Sequence, residues 1–328
     1  MKSSLGVKMV LRTLANLAAR KPICVSFEVT HSCNCKCRHC NKGSIKKEPD
    51  RMSLDDYRRI SHELTPTACQ LSGGEPLLRD DLEDVARAVK HPSGLPMMVL
   101  VSNWSLMTEE RYLSMMDAGV DIFSVSLDFP DERHDKFRGL KGLYKKLDDI
   151  VPYLTNKYRL NNIVLNSALT SANFREVPGL VAKAEEWGAK ISISAYCILR
   201  TGEAALCITG EENLEVLKRN IEFLLEHKRK SRTVITPDCV IENTLRFFQG
   251  GGHLPNCSAG YRSMVVRPNG KLNPCSYFPE HQYDSQAEAI KGFSEGNTCD
   301  ECYVSLRAMT ERSLVTLTRD SIATYFKL

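Results

Sequence analysis

The stretch "HSCNCKCRHCNKG", residues 31–43, places four cysteines within eight positions, directly after an apolar run that predicts a β-strand. Cys33, Cys37 and Cys40 follow a C-x3-C-x2-C pattern, and Cys35 lies outside that spacing. Three thiolates on one loop can bind three irons of a cubane iron–sulfur cluster and leave the fourth iron open to another ligand. The same residues also suit a zinc knuckle, or a cluster in which Cys35 is the fourth ligand. The stretch therefore predicts a metal site after the first strand.

The composition favours a soluble chain with reduced cysteines. With 328 residues, 42% of them hydrophobic and 26% charged, the chain is long enough for one large or two smaller domains. The N-terminal residues lack a secretory signal, and no run of about 18 apolar residues predicts a membrane span, so we expect a cytoplasmic protein. Thirteen cysteines in a reducing compartment favour metal or redox chemistry over disulfides. The net charge of +4 is too small to indicate a nucleic-acid partner.

An alternation of short strands and helices predicts an α/β fold. Six β-branched or apolar runs predict strands, at residues 23–29, 68–72, 97–102, 122–127, 162–169 and 190–196. Segments with helical periodicity lie between them, beginning near Ser53, Asp80, Thr108, Leu143 and Asn173. Such an alternation gives right-handed βαβ units and a parallel sheet, either open or curled. Functional residues then gather at the carboxyl ends of the strands.

The pattern changes after the long predicted helix at residues 211–230. Residues 250–275 are rich in Gly and Pro and contain a hairpin signal, with Asn269 and Gly270 in the turn. The segment up to Cys302 has too few apolar residues for a core of its own, so another element must hold it. We divide the chain into an N-terminal amphipathic helix, a main domain and a tail, at residues 1–22, 23–234 and 235–328.

Four cysteines in the tail predict a metal staple. Cys257, Cys275, Cys299 and Cys302 lie in this segment. Metal binding is expected to supply the folding free energy that apolar burial cannot supply there. A zinc ribbon is the simplest site of this kind, and an iron–sulfur cluster is the alternative.

A second motif, "LSGGEPLL" at residues 71–78, follows the second predicted strand. Gly73 and Gly74 allow the backbone to approach a ligand closely, and Glu75 is placed to bind an ammonium group. The alternative is a glycine-rich turn with a solvent-facing glutamate. Because this loop and the cysteine loop leave neighbouring strands at the same end of the predicted sheet, the two motifs support each other.

Together, C-x3-C-x2-C after strand one and GGEP after strand two make this chain resemble the radical S-adenosylmethionine (SAM) superfamily. The resemblance implies a partial (β/α)6 TIM-like barrel, in agreement with the six predicted strands. It implies that Cys33, Cys37 and Cys40 bind a [4Fe–4S] cluster, whose open iron chelates the amino and carboxylate groups of SAM. The residues implied to contact the methionine part of SAM are Gly73, Gly74, Glu75 and Pro76.

Further segments extend the resemblance. "SVSLD" (124–128) resembles the family's fourth-strand motif, which implies that Ser126 and Asp128 lie near the ribose. "DKFRG" (135–139) resembles a segment that follows it, and Arg138 would bind the SAM carboxylate. Asn103 lies where many relatives have a "TNG"-like turn, but here the turn reads "SNW", with Trp104 in place of glycine.

The tail segment "CSAGYRSMVVRPNGKLNPC" (257–275) resembles the opening of the SPASM/twitch extension found in a branch of this superfamily. That extension carries auxiliary [4Fe–4S] clusters. A full SPASM domain uses more cysteines, for two clusters, than remain in this chain. The resemblance therefore implies a small cysteine-rich, twitch-like module with one auxiliary [4Fe–4S] cluster bound by Cys257, Cys275, Cys299 and Cys302.

The implied function is that of a radical SAM enzyme. Reductive cleavage of SAM would give a 5′-deoxyadenosyl radical, which takes a hydrogen atom from a small-molecule or peptide substrate. The auxiliary cluster would accept an electron from the product radical or bind the substrate, and an external donor such as flavodoxin or ferredoxin would supply electrons. The alternative is a zinc-binding structural or interaction protein without catalysis, and the GGEP loop tells against it.

The N-terminal helix has apolar side chains at Val7, Val10, Leu11, Leu14 and Leu17. A helix of this kind can lie in a membrane interface, as a peripheral contact. Packing against its own barrel is the more frequent use of an amphipathic helix, and we expect it here.

Overall fold

The computed structural model of the chain describes residues 2–313 and 315–317. Residues 1, 314 and 318–328, which belong to the predicted segments 1–22 and 235–328, lie outside the described residues. The strands are β1 (Cys24–Thr30), β2 (Ala68–Gly73), β3 (Met97–Ser102), β4 (Ile122–Ser126), β5 (Ile163–Leu169), β6 (Lys190–Ala195), β7 (Ser263–Val266) and β8 (Leu272–Asn273). The helices are α1 (Lys2–Ala18), α2 (Leu54–Leu64), α3 (Leu82–Val89), α4 (Glu109–Asp117), α5 (Arg133–Arg138), α6 (Leu143–Tyr158), α7 (Val177–Glu186), α8 (Glu211–Lys230), α9 (Asp238–Gln249), α10 (Gln286–Gly292) and α11 (Ser305–Thr310).

All eight strands belong to one sheet, in the order β6-β5-β4-β3-β2-β1-β7-β8. Strands β1 to β6 pair in parallel, and helices connect them, so the α/β prediction is confirmed. Each of the six predicted strands is present, with bounds that differ by at most one residue. The architecture is a partial (β/α)6 TIM-like barrel. Its strands end at one edge, where the loops that follow them meet.

Local sequence explains where the helices begin. Ser53 caps α2: its hydroxyl accepts from the backbone of Asp56, whose carboxylate bonds back to the backbone of Ser53. Thr108 caps α4 in the same way as an acceptor from Arg111. These bonds satisfy amide groups that have no partner inside the helix. The helix predicted near Asp80 begins instead at Leu82.

The tail is held by the barrel sheet. Strand β7 pairs in parallel with β1, with Cys24 opposite Ser263 and Phe27 opposite Val266, and all of its residues are buried. Strand β8 returns antiparallel to β7, and Gly270 in the turn has a φ of +81°, as the hairpin signal predicts. Helix α11 contacts β1, β6 and β7. The support that the tail lacks in its own sequence therefore comes from the barrel.

Helix α1 packs on the barrel through a face that its apolar pattern did not indicate. Met9, Thr13 and Asn16 are buried, and the side-chain amide of Asn16 donates to the carbonyls of Pro22 and Thr65. In contrast, Val7 and Leu11 are 60% and 61% exposed. Buried polar contacts, which must be satisfied in place, thus outweigh the apolar stripe in orienting this helix. No helix in the described part of the chain is long and apolar enough to span a bilayer.

Candidate active site

The carboxyl ends of the parallel strands open into one cavity of about 270 Å³. Most residues that the resemblance implicates in cluster and SAM binding line it, namely Cys33, Cys37, Cys40, Gly73, Gly74, Glu75, Asn103, Ser126 and Arg138. Pro76 and Asp128 do not line the cavity, and neither do the four tail cysteines. The cysteine loop and the segments predicted to bind SAM therefore meet where a parallel sheet places functional residues.

The cysteine loop connects β1 to α2 and is held by main-chain bonds. The amide of Lys36 donates to the carbonyl of Arg138 over 2.9 Å, and the amide of Arg38 donates to that of Phe137 over 3.1 Å. The amide of Cys33 donates to the carbonyl of Ser44 over 2.9 Å. The end of α5 therefore fixes the cysteine loop.

Cys35 lies between two of the predicted ligands. It is 1% exposed, and hydrogen bonding with its thiol lowers the pKa of Cys37 to about 6 and lowers that of Cys33. The same bonds raise the pKa of Cys35. Because a thiolate is the metal-binding form of cysteine, Cys33 and Cys37 are the better ligands of the three.

The GGEP loop is bonded to the backbone beside the cysteine loop. The amide of Gly74 donates to the carbonyl of Thr30 over 2.7 Å, and the amide of Glu75 donates to that of Ser32 over 2.8 Å. A Cβ on Gly73 would lie 2.1 Å from the Thr30 oxygen, and a Cβ on Gly74 would lie 2.0 Å from the Ser32 oxygen. Only glycine allows this close approach of the two chains.

Glu75 points inward, so a turn with a solvent-facing glutamate is excluded. Its carboxylate is 1% exposed and accepts from the Ser102 hydroxyl (2.6 Å), the Asn103 amide (2.7 Å) and the Leu77 amide (3.0 Å). Burial raises the pKa of this carboxyl group. A carboxylate offers about four acceptor positions, so one is left for a ligand ammonium group.

The side chain of Asn103 donates hydrogen bonds to the cysteine loop. Its Nδ2 donates to Asn34 Oδ1 over 2.9 Å and to Cys35 Sγ over 3.2 Å. The next residue, Trp104, has a φ of +62° and is fully buried. Trp104 therefore adopts the left-handed backbone conformation that glycine takes readily. For a residue with a Cβ this conformation costs about 1 kcal/mol of folding free energy, which burial of the indole ring can offset.

Arg138 lines the cavity, and Asp128, which does not, forms an ion pair with Arg138. Arg138 Nε donates to Asp128 Oδ2 over 2.6 Å, and its Nη1 lies 3.7 Å from Cys37 Sγ. Asp128 is fully buried; burial opposes its ionisation, but the Arg138 cation keeps the pKa of this carboxyl below its usual range. Asp128 thus orients Arg138 instead of lining the cavity beside a ribose.

The four tail cysteines lie near one another, outside the lining of the cavity. Cys257 and Cys299 are close enough for their charges to act on Cys275, and Cys257 and Cys275 act on Cys302 in the same way. Burial raises the pKa of Cys275 to about 11. A fifth cysteine, Cys197 after β6, is a neighbour of this set and donates its thiol to the carbonyl of Glu301 over 3.0 Å.

An ion pair on α11 and just beyond it organises this tail set. Arg307, 5% exposed, donates to the carbonyl of Cys302, and its Nε donates to Glu311 Oε2 over 2.8 Å. Glu311 Oε1 accepts from the amide of Ser258, the residue after Cys257, over 2.8 Å. The pair therefore links the first and last tail cysteines.

Sequence reasoning missed several residues that line the cavity, namely Glu28, Lys42, Tyr196, Arg200 and Tyr277. Lys42 lies in the quoted cysteine stretch and Arg200 follows the sixth strand, so their positions at strand ends were a usable signal. Nothing in the local pattern indicates that Tyr277 of the tail reaches the same cavity.

The donor sets suit iron–sulfur clusters. Within residues 2–313 and 315–317, no three cysteine, histidine or carboxylate side chains already stand at metal-coordinating geometry. Even so, three thiols face one cavity, two of them with lowered pKa values, beside glycines that leave room for a ligand. All cysteines in the described part of the chain are free of disulfides. This is the chemistry that a cluster with one open iron requires.

Comparison with known proteins agrees with the site. The sequence model described as "Radical SAM superfamily" matches residues 27–177. The antilisterial bacteriocin subtilosin biosynthesis protein AlbA of Bacillus subtilis (strain 168) is 25% identical over 294 residues, which are 87% of this chain and 59% of AlbA. An AdoMet-dependent heme synthase of Methanosarcina barkeri is 27% identical over 282 residues, which are 79% of this chain and 78% of the synthase.

A solved structure has the same fold. Streptococcus suis SuiB bound to S-adenosylmethionine superposes with a TM-score of 0.62 at 18% identity, over 82% of this chain and 64% of SuiB. The chain thus spans less than two thirds of AlbA and of SuiB. The matched region begins in β1 and contains the cysteine loop, the GGEP loop, Ser126 and Arg138. Residues 27–177 of the barrel are therefore similar to the radical SAM superfamily.

Proposed function

We propose that this chain reductively cleaves SAM and uses the resulting 5′-deoxyadenosyl radical to take a hydrogen atom from a substrate, in an oxidative modification within a biosynthetic or maturation pathway. The observation that carries the proposal is the direct bonding of the GGEP loop to the backbone before the cysteine loop, through the Gly74 and Glu75 amides. This contact places a candidate ammonium acceptor beside three thiols in one cavity.

Within that cavity, the chain's own residues bind and orient. Cys33, Cys37 and Cys40 would hold the [4Fe–4S] cluster, which supplies the electron for SAM cleavage. The segment from Gly73 to Pro76 would bind the methionine part of SAM, with Glu75 accepting from its ammonium group. Arg138 would bind the carboxylate, and Ser126, which lines the cavity, would lie near the ribose. The short Asp128–Arg138 pair keeps the guanidinium in place for this.

The tail would hold an auxiliary [4Fe–4S] cluster on Cys257, Cys275, Cys299 and Cys302. Their proximity to one another supports this assignment. In that place the cluster can accept an electron from a substrate radical or bind the substrate. We keep residues 1–22, 23–234 and 235–328 as helix, barrel and twitch-like module, although β7 of the module extends the barrel sheet.

The substrate is a small molecule or a peptide. One relative is named for bacteriocin biosynthesis and another for heme synthesis, which supports either class. A flavodoxin or ferredoxin would supply the electron.

The test is SAM cleavage by the anaerobically reconstituted chain with dithionite as reductant, with 5′-deoxyadenosine measured by chromatography. The parent protein is expected to contain about eight irons and to form 5′-deoxyadenosine. Replacing Cys33, Cys37 and Cys40 together by Ala should remove about four irons and all cleavage. A colourless parent protein with stoichiometric zinc and no 5′-deoxyadenosine would contradict the proposal.

A further inference from the structure

One group of residues in the cavity lining, separate from the GGEP loop, carries an excess of positive charge. The group consists of Glu28, Lys42, Arg200 and Tyr277. Lys42 and Glu28 belong to the barrel, Arg200 follows β6, and Tyr277 comes from the tail two residues after Cys275. The group therefore combines residues of the barrel with a residue of the tail.

The Glu28 carboxylate is the shared hydrogen-bond acceptor of three basic side chains. Glu28 Oε2 accepts from Arg267 Nη1 over 2.7 Å, from His31 Nε2 over 2.8 Å and from Lys42 Nζ over 3.2 Å. The single charge of Glu28 is balanced by Arg267 alone, so Lys42 and His31 share that carboxylate and have none of their own. The side chains are buried, which makes an unbalanced charge costly in the absence of a partner.

Arg200 adds a second unbalanced charge. Its guanidinium carbon lies 5.0 Å from the centre of the Tyr277 ring, and in the described part of the chain it forms no ion pair with a carboxylate. The nearby Glu203 pairs instead with Arg38, over 2.9 Å. By contrast, Arg138 and Arg267, the other arginines at the site, each pair with a carboxylate.

No other carboxylate of the lining can supply the missing charge. In the part of the chain that the structure describes, the only acidic residues that line the cavity are Glu28 and Glu75. Each of them already accepts three hydrogen bonds. A cavity with a fixed positive excess and low-dielectric walls concentrates anionic ligands.

We propose that this part of the cavity lining binds an anionic group of the substrate, a carboxylate or a phosphate, through Arg200 with Lys42 and the Tyr277 hydroxyl beside it. This inference rests on the proposed function, because it places the substrate in the same cavity as SAM. The planar guanidinium can donate two parallel hydrogen bonds to such a group, and the stacked tyrosine ring limits its rotation. The substrate would thereby be held by residues of both the barrel and the tail.

A competing explanation assigns Arg200 to the clusters. Thiolate-bound clusters are anionic, and Cys40 is close enough for its charge to act on Arg200. If Arg200 were their counter-ion, its loss would alter the cluster's electron paramagnetic resonance spectrum or reduction potential and leave anion binding unchanged. The two explanations therefore predict different measurements.

The experiment titrates the reconstituted full chain, saturated with SAM so that the SAM carboxylate site is filled, with inorganic phosphate and with acetate. Anaerobic calorimetry at constant ionic strength measures both anions for the parent, Arg200→Gln, Arg200→Lys and Arg87→Gln. Arg87→Gln removes the same charge from an exposed position on α3, where Arg87 pairs with Asp84 and Asp117. The tighter of the two probes indicates whether the substrate group is a phosphate or a carboxylate.

The expected result is saturable one-to-one binding of at least one anion, weakened at least about tenfold in Arg200→Gln, weakened less in Arg200→Lys and unchanged in Arg87→Gln. If Arg200→Gln fails to retain its iron, Lys42→Gln provides the same comparison. Absence of saturable binding, equal binding by Arg200→Gln, or a change in cluster spectra alone would overturn the proposal. Formation of 5′-deoxyadenosine by the same preparations separates this failure from failure of the proposed function.

Discussion

Main-chain bonds to neighbouring segments hold the barrel cysteine loop, with further bonds from the Asn103 side chain, whereas buried side chains from other segments bond the backbone of the tail cysteines. Around the first, the amides of Lys36 and Gly74 donate to carbonyls of neighbouring segments. Around the second, Arg307 donates to the carbonyl of Cys302 and the Cys197 thiol donates to that of Glu301. A site built from backbone should tolerate side-chain exchange but not a new Cβ, and a site built from side chains should fail when one of them is lost.

The largest effect is expected for Gly74→Ala. The new Cβ would lie 2.0 Å from the carbonyl oxygen of Ser32, which is backbone and cannot move aside cheaply. The GGEP and cysteine loops must then separate, and we expect SAM cleavage to fall by about a hundredfold or more, measured as 5′-deoxyadenosine. Gly296→Ala in the tail, where nothing lies within 4 Å, is the matched control and should leave cleavage unchanged.

The next largest effect is expected for Arg307→Gln, which should lower the iron content of the tail site and not that of the barrel site. Arg307→Gln removes the charged donor that bonds Cys302 and pairs with Glu311, so the auxiliary site should lose its iron. We expect about four irons per chain, with 5′-deoxyadenosine formation retained. Arg307→Lys, which keeps the charge, should recover part of the iron and of the auxiliary paramagnetic signal. Full iron content in Arg307→Gln would show that this ion pair does not organise the tail set.

A smaller effect is expected for Glu75→Gln. The variant loses the negative charge that would bind the SAM ammonium group, so SAM affinity should fall about tenfold while iron content stays the same. Ser102→Ala is the control, because it removes the 2.6 Å hydrogen bond to Glu75 and leaves the charge in place. SAM affinity measured by equilibrium binding should fall clearly further in Glu75→Gln than in Ser102→Ala. Equal affinity in the parent and Glu75→Gln would remove Glu75 from the SAM site.

The smallest effect is expected for Cys35→Ala. Cys35 is buried among the predicted ligands and accepts a hydrogen bond from Asn103, but its position lies outside the C-x3-C-x2-C spacing. Iron content and 5′-deoxyadenosine formation should both stay within about twofold of the parent, because a buried thiol that is not a ligand acts as a small apolar side chain. Cys37→Ala, two residues away, is the control that should lose the cluster. Loss of the cluster in Cys35→Ala would make Cys35 a ligand.

The parallel strands and the site at their carboxyl ends were predictable because they depend on local patterns. Runs such as residues 97–102 are short and apolar, and the strand there has the predicted bounds. The turn at Asn269 and Gly270 follows from the left-handed conformation that glycine adopts readily. The cysteine and GGEP loops meet because consecutive parallel strands end at the same edge.

The features of the fold and site that the sequence did not predict depend on contacts between segments far apart in the sequence. Pairing of β7 with β1 joins residues that are more than 200 positions apart, and no local periodicity encodes it. The same pairing brings Tyr277 to the cavity beside Arg200. Asp128 was placed near a ribose from its motif, but its burial behind Arg138 depends on the packing of α5. Helix α1 was predicted to pack against the barrel, but the face it uses depends on the buried bonds of Asn16 to Pro22 and Thr65.

The most direct test of two separate cluster sites is the iron content and SAM cleavage of Cys299→Ala/Cys302→Ala, purified and reconstituted without oxygen. If the barrel loop alone binds and cleaves SAM, this variant should retain about four irons per chain and form 5′-deoxyadenosine at a rate within about twofold of the parent. Its tail should also become less stable, since metal binding there contributes folding free energy. Iron unchanged at about eight per chain, or loss of 5′-deoxyadenosine together with the tail iron, would contradict the account.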